Sequence, residues 1–145
     1  RSGRLGGLIT TGDDAGYIYS LYGFGLIREM ELQEEAGFHP LEVVKHATVN
    51  GAELLGMADR LGRMRVGYIA DLLVVNGNPL ENLRILNPYG TSISVDGRSV
   101  HGGGIEWTIK DGIPYHVPTL MTEVRQMVDD ARGAAHSDTS AGRPE

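Results

Sequence analysis

The sequence predicts an α/β fold, helices first and strands after, and three observations carry that expectation. A short apolar run, Leu8-Ile9-Thr10-Thr11, stops abruptly in the acidic, glycine-bracketed Gly12-Asp13-Asp14-Ala15-Gly16. Apolar residues then recur at helical spacing from residue 26 to residue 55. Past residue 62 the pattern turns to strands, with the unbroken run Leu72-Leu73-Val74-Val75 and a later Asp111-Gly112 dipeptide between two apolar-rich stretches.

The first run reads as a strand that ends where chemistry begins. Strand formers precede Gly12, which lets the backbone turn, and parallel-sheet and barrel enzymes keep catalytic groups just past such strand ends. Successive side chains alternate between faces of a strand, so Asp13 and Asp14 are expected to point apart, one of them into a site as a potential metal ligand. The competing reading is that either aspartate caps the following turn. Residues 17–25 form an aromatic, glycine-rich loop, and half of the six tyrosines of the chain lie in it. Tyr17, Tyr19 and Tyr22 each offer a flat apolar face with a polar tip, suited to gripping a small organic ligand or to packing the loop on its own scaffold.

Residues 26–36 read as a helix with Leu26, Ile27, Met30 and Leu32 on its apolar side and Gly37 as its stop. Pro40 suits a first helical position, and Leu41, Val43, Val44 and Ala47 give the next helix one apolar face through about residue 48. His39 and His46 stand seven apart, not at the four-residue spacing of a helical metal pair, and are expected to be surface or capping residues. Asn50 with Glu53 resembles an N-cap and capping box, opening a short helix packed by Leu54 and Leu55 and closed at Gly56.

In the second half, four consecutive apolar residues at 72–75 suggest a strand buried on both faces, stopped by Asn76-Gly77-Asn78-Pro79. Residues 80–86 read as a short helix or turn, 91–95 as a strand, and Gly102-Gly103-Gly104 as a flexible joint. Residues 105–116 should form a hairpin turning at Asp111-Gly112 and pairing with 72–75. His101 and His116 are expected to be structural or exposed. Leu120, Val124, Met127 and Val128 mark a docking amphipathic helix over 119–131, with Thr119 or Thr122 as caps, before a disordered tail at 132–145.

Composition narrows the function. A chain of 145 residues that is 41% hydrophobic is long and apolar enough for a real core. A formal net charge of -6 without any lysine or arginine cluster disfavours nucleic acid. The absence of cysteine excludes disulfides, thiolate metal sites and a cysteine nucleophile, so a metal would have to use His, Asp or Glu. No apolar run approaches the roughly 18 residues of a membrane span, and neither a signal peptide nor a membrane partner is expected. The expected partner is a small-molecule substrate; homo-oligomerisation is left open, and the cytoplasm is the favoured compartment. The opening Arg1-Ser2-Gly3-Arg4-Leu5-Gly6-Gly7 looks like the end of a loop running into a strand, as though the chain began at a cut.

Three stretches in this order resemble the C-terminal part of the metal-dependent amidohydrolase superfamily, in its imidazolonepropionase-like and dipeptidase-like branch. They are Gly12-Asp13-Asp14-Ala15-Gly16; His46-Ala47-Thr48-Val49-Asn50-Gly51-Ala52-Glu53-Leu54-Leu55-Gly56; and residues 62–75 followed by Gly77-Asn78-Pro79. The resemblance covers about residues 8–132 and implies the C-terminal fragment of a (β/α)8 TIM-like barrel plus strands of the small β-sandwich domain that accompanies it. Residues 1–60 would supply the last barrel strand and helices, 61–118 part of the sandwich, and 119–131 the terminal helix. The family's strand-end pattern, Gly-Thr/Ser-Asp-Ala, places its functional carboxylate at Asp14, with Asp13 where Thr or Ser is usual.

By that resemblance Asp14 binds a divalent metal, expected to be zinc with one or two ions in the intact enzyme, and shuttles a proton as an activated water attacks an amide or related carbon. A bound metal brings the pKa of water to about 7, and an adjacent carboxylate can carry the proton to the leaving nitrogen. The family's other ligands, a His-x-His pair, commonly a carboxylated Lys and two further His, come from earlier strands that this sequence lacks. A full barrel takes about 250 residues, so the missing N-terminal barrel half is an expected partner. The alternative, from a different class, is a non-catalytic β-sandwich module built by residues 62–117 for assembly or binding.

Overall fold

The computed structural model describes residues 7–17 and 22–140, the side chains of 134–140 excepted, and has a helical first half and a strand-rich second half. Helix α1, Gly25–Glu35, ends where expected. Gly37 takes φ +96, which costs glycine nothing, and the Gly37 and Phe38 amides donate to the carbonyls of Glu34 (2.8 Å) and Gln33 (3.2 Å). The buried residues of α1 are Met30 and Gln33, while Leu26 and Leu32 are exposed, so the face assigned from the sequence is partly wrong. A polar glutamine takes an inward position because hydrogen bonds await it there.

Helix α2, Pro40–Lys45, starts at its proline. His39 caps it, accepting from the Leu41 amide at 3.3 Å, while the Glu42 carboxylate accepts from the His39 amide at 2.9 Å. A π-helical turn, His46–Asn50, then leads into α3, Gly51–Leu54. The expected break at Asn50 is absent: its backbone is helical (φ -69, ψ -37), and its side chain caps nothing. Leu54 and Leu55 do not pack this segment either, being 65% and 70% exposed, whereas Ala52 is buried. Just beyond, Gly62 has φ +80, and a β-carbon there would lie 2.8 Å from both the Ala52 β-carbon and the Thr48 carbonyl oxygen.

The core is small. Met30 of α1, Val43 of α2 and Leu83 of a 3-10 turn, Leu83–Leu86, meet beneath Phe38, Val44, Ala47 and Leu86. Each such burial contributes about 2 kcal/mol. Above it the Arg84 guanidinium binds Glu31, tying the 3-10 turn to α1, and Arg28 binds Glu35 at 2.9 Å within α1. Burial works to raise Glu31, but hydrogen bonds and charge from Arg84, then Arg28, outweigh it and hold the carboxyl below its usual range. Leu54, Leu55, Met64 and Val66 are among the large apolar residues left exposed, so much apolar surface stays uncovered.

Strand β1, Leu72–Val75, pairs with β4, Ile105–Lys110, which pairs with β5, Ile113–His116. The hairpin therefore turns at Asp111-Gly112, with Lys110 opposite Ile113 and Leu72 opposite Ile109, as expected. Strand β1 is not buried on both faces, for it is an edge strand with one neighbour, and Leu73 and Val74 are exposed. A separate hairpin joins β2, Thr91–Val95, to β3, Arg98–Gly102. Its Asp96-Gly97 turn repeats the chemistry of Asp111-Gly112: both aspartates are left-handed (φ +50 and +51), and a glycine follows each.

The glycine run at 102–104 is packed and not a free joint. A β-carbon on Gly103 would stand 3.2 Å from the Asn76 carbonyl, and the Asn76 amide donates to Gly104 at 2.9 Å. Helix α4, Val117–Ser140, starts two residues early, with Pro118 in its first turn, and continues through residues 132–140, which were expected to be disordered. Ala131, Ala134 and Ala135 favour helix there, and Pro144 lies too far on to stop it. Residues 141–145 lie outside the described residues. The apolar stripe Leu120, Val124, Met127 and Val128 stays exposed, so α4 docks chiefly through Val117 at its start and through Arg125, whose guanidinium lies 4.8 Å from the Tyr89 ring centre. No helix among the described residues is long and apolar enough to cross a membrane.

Candidate functional site

The segment leading to the two aspartates, residues 8–11, has no ladder partner among the described strands. Side-chain amides hold it instead. The Asn50 Nδ2 group donates to the Ile9 carbonyl at 2.7 Å. Gln33 Nε2 donates to the Thr10 carbonyl at 3.2 Å, and it also reaches Thr11 Oγ1 (3.4 Å) and Glu29 Oε1 (3.0 Å). Behind Gln33, its Oε1 lies 2.8 Å from His46 Nδ1. Gln33, His46 and Asn50 are the buried polar residues among those described, at 8%, 7% and 7% exposure.

The backbone turns left-handed at the second aspartate. Asp14 has φ +47, an uncommon conformation for a non-glycine residue that aspartate tolerates best, and its carbonyl accepts from the Tyr17 amide at 3.2 Å to close a turn. Asp13 is half-buried and Asp14 exposed. The two acids thus differ in burial, and the left-handed backbone falls at Asp14 itself.

Tyr22 folds back onto this turn: a β-carbon on Gly16 would stand 2.5 Å from the Tyr22 hydroxyl. Gly16, at φ +93, thus has two reasons to be glycine. Tyr22 and Tyr17 are 78% and 66% exposed, open to a ligand or to a covering surface. Tyr19 lies outside the described residues.

A metal is poorly served by this chain alone. Among the described residues no three His, Asp or Glu side chains come together as a metal centre would require, and Asp14 offers a single carboxylate. The histidines divide by role. His39 is the cap it was expected to be, His101 Nε2 donates to the Tyr89 carbonyl at 2.7 Å, and His116 lies beside Trp107 and 2.8 Å from Thr119 Oγ1. His46 departs from expectation, because it is buried, edge-on to Phe38 with ring centres 5.1 Å apart.

Sequence reasoning missed Gln33 and gave Asn50 a different task, that of an N-cap. The usable signal was a glutamine one turn from Met30 and an asparagine one turn from His46, each falling in phase with the inward face. Two surface cavities, about 240 and 280 Å³, lie elsewhere, both against Glu31 and Arg84.

The amidohydrolase family model matches residues 8–100. The ochratoxinase of Aspergillus niger is 40% identical over 60 residues, which cover 39% of this chain and 12% of that enzyme. A solved structure from Bifidobacterium longum, provisionally named a prolidase, superposes with a TM-score of 0.64 at 32% identity, over 79% of this chain and 24% of its own. The chain thus spans about a quarter or less of the length of these relatives.

Proposed function

The chain belongs to the amidohydrolase family, and from that premise we propose that it is the part of a hydrolase of carbon–nitrogen bonds that supplies the carboxylate of Asp14. One observation carries the reading. The family match begins at residue 8, on the amide-gripped segment whose left-handed kink leaves Asp14 exposed at its end. The TIM-like barrel and its accompanying sandwich belong to this proposal as the setting of that segment.

The substrate class is an amide, cyclic amide or dipeptide, a choice supported by the prolidase name of the Bifidobacterium longum relative. Members of the family generally work with divalent metals, zinc being the choice proposed here. Its other ligands would have to come from outside this chain, and when bound it supplies a water acidic enough to react near neutral pH. The part of Asp14 is to hold a proton on its carboxylate and return it to the departing nitrogen. Tyr22 and Tyr17, with Tyr19 between them in sequence, would line the approach with apolar ring faces.

The test is expression of the complete reading frame with zinc. Turnover of N-acyl amino acids and of Xaa-Pro dipeptides is then measured with metal content determined in parallel. Hydrolysis that disappears in Asp14→Asn at unchanged metal content is the expected result. A zinc-loaded protein inert toward the whole panel, or a fully active Asp14→Asn, overturns the reading.

A further inference from the structure

The buried glutamine, histidine and asparagine have orientations that chemistry fixes. Gln33 Nε2 faces the Thr10 carbonyl and the Glu29 carboxylate, and neither can donate a hydrogen bond when Glu29 is ionised. The NH2 of Gln33 must therefore point toward the segment, which leaves Oε1 toward His46 at 2.8 Å. An amide oxygen only accepts, so the proton of that bond sits on His46 Nδ1. Asn50, four residues on across the π turn, donates to the adjacent carbonyl, that of Ile9. Amides from two helical elements thus hold the successive carbonyls of Ile9 and Thr10, four and three residues before Asp13.

We propose that Gln33 and Asn50 are positioning residues for the Asp14 carboxylate, and that His46, fixed as its Nδ1–H tautomer, orients Gln33 for that task. The proposal rests on the catalytic reading of Asp14 given above. Its physical basis is that reacting groups must be held within a fraction of an ångström, and these side-chain hydrogen bonds tie the backbone leading to Asp14 to α1 and to the π turn. Burial lowers the His46 pKa, with Glu42 opposing and Lys45 assisting, which keeps the ring neutral at pH 7 and makes its tautomer a definite property. The π turn contributes by placing His46 and Asn50 together on the buried side of one helical segment.

Two measurements on the complete protein test this. Selective ¹⁵N labelling of histidine, with the His46 signal assigned by its loss in His46→Asn, should show the Nδ1–H tautomer, the minority form among neutral histidines. In kinetics, Gln33→Leu and His46→Leu should each lower kcat by about 10- to 100-fold with little change in KM and unchanged metal content. His46→Asn, which keeps an N–H donor near the place of Nδ1, should recover most of that loss, while His46→Asp, which offers an acceptor there, should not.

A structural role alone would lower the amount of folded enzyme without separating Asn from Asp. An Nε2–H tautomer, or wild-type kcat in Gln33→Leu where Asp14→Asn is dead, overturns the proposal. If Asp14→Asn is itself fully active, the catalytic reading fails and the positioning claim fails with it. The tautomer would still decide whether the amide grip exists.

Discussion

The approach to Asp14 and the hairpin at Asp111 are held by opposite means. Between β4 and β5 backbone pairs with backbone over a two-residue turn, so every partner is near in sequence. Residues 8–11 have no ladder partner among the described residues, and the carbonyls of Thr10 and Ile9 are held by Gln33 and Asn50, which lie 23 and 41 residues from them. The hairpin would survive most changes in its side chains. The approach to Asp14 depends on three of them, all buried, so the region assigned the chemistry is also the one whose geometry single substitutions can change.

The sharpest way to break that comparison is to ask the chain to act alone. With one carboxylate and no metal-binding cluster among the described residues, residues 1–145 should retain no stoichiometric zinc after dialysis and turn over no dipeptide. Zinc retained at one equivalent together with turnover would show that a site has been overlooked. Next in size is Asp14→Asn in the complete protein. Asparagine keeps the size and also tolerates the left-handed backbone, so the fold should persist while kcat/KM falls by about 10²- to 10⁴-fold. Asp13→Thr should cost far less. The reverse outcome, a dead Asp13→Thr beside an active Asp14→Asn, would move the functional carboxylate by one residue.

A smaller effect, on stability, comes from Gly62→Ala. The added carbon would meet the Ala52 β-carbon and the Thr48 carbonyl at 2.8 Å in a left-handed backbone. Strain and overpacking together should cost on the order of 3 kcal/mol, measured by denaturant unfolding. Because the clash falls on the π turn and α3, kcat should fall along with stability, whereas Gly112→Ala, with nothing within 4 Å, should spare kcat. Equal loss of activity in both would erase the distinction between the two regions.

What the sequence made legible follows the same division. The β4–β5 hairpin, the proline start of α2 and the glycine stop of α1 are local devices, decided by residues within a turn of one another, and each stands where it was expected. The Asp96-Gly97 hairpin was equally readable, since it repeats the dipeptide used to place the other. Gln33 was not, because a polar residue on a helix reads as solvent-facing until its distant partner is known, and Asn50 read as a local cap with Glu53 for the same reason. Periodicity failed likewise for Leu26, Leu54, Leu55 and the α4 stripe. It shows that a face is apolar but not which surface covers it, and in this chain those faces remain open.

The smallest expected effect concerns the clamp on the hairpin. Asp71 accepts from Lys110 Nζ at 2.5 Å and from the Asp111 amide at 2.8 Å, so it ties the end of β4 and the start of the turn to the residue before β1. The Lys110 hydrogen bond, then that of the Asp111 amide, hold the Asp71 carboxyl below its usual range. A carboxyl whose folded pKa is depressed stabilises above the usual carboxylate range, and the contribution is lost as pH falls through the depressed value. Lys110 is raised by the same partner, so its share is present below the usual lysine range and lost as pH rises through the raised value. Asp71→Asn keeps an oxygen for the Asp111 amide but loses the charge. The variant should therefore exchange its Asp111 amide hydrogen slightly faster than wild type at pH 7, and the difference should shrink in acid, in strong alkali and in 1 M salt, because Lys110 is 67% exposed and its pairing is screened. A difference that persists unchanged into acid would assign the clamp to hydrogen-bond geometry alone. The hairpin would then depend on a side chain as specifically as the Asp14 segment does, and the contrast between the two regions would reduce to one of burial.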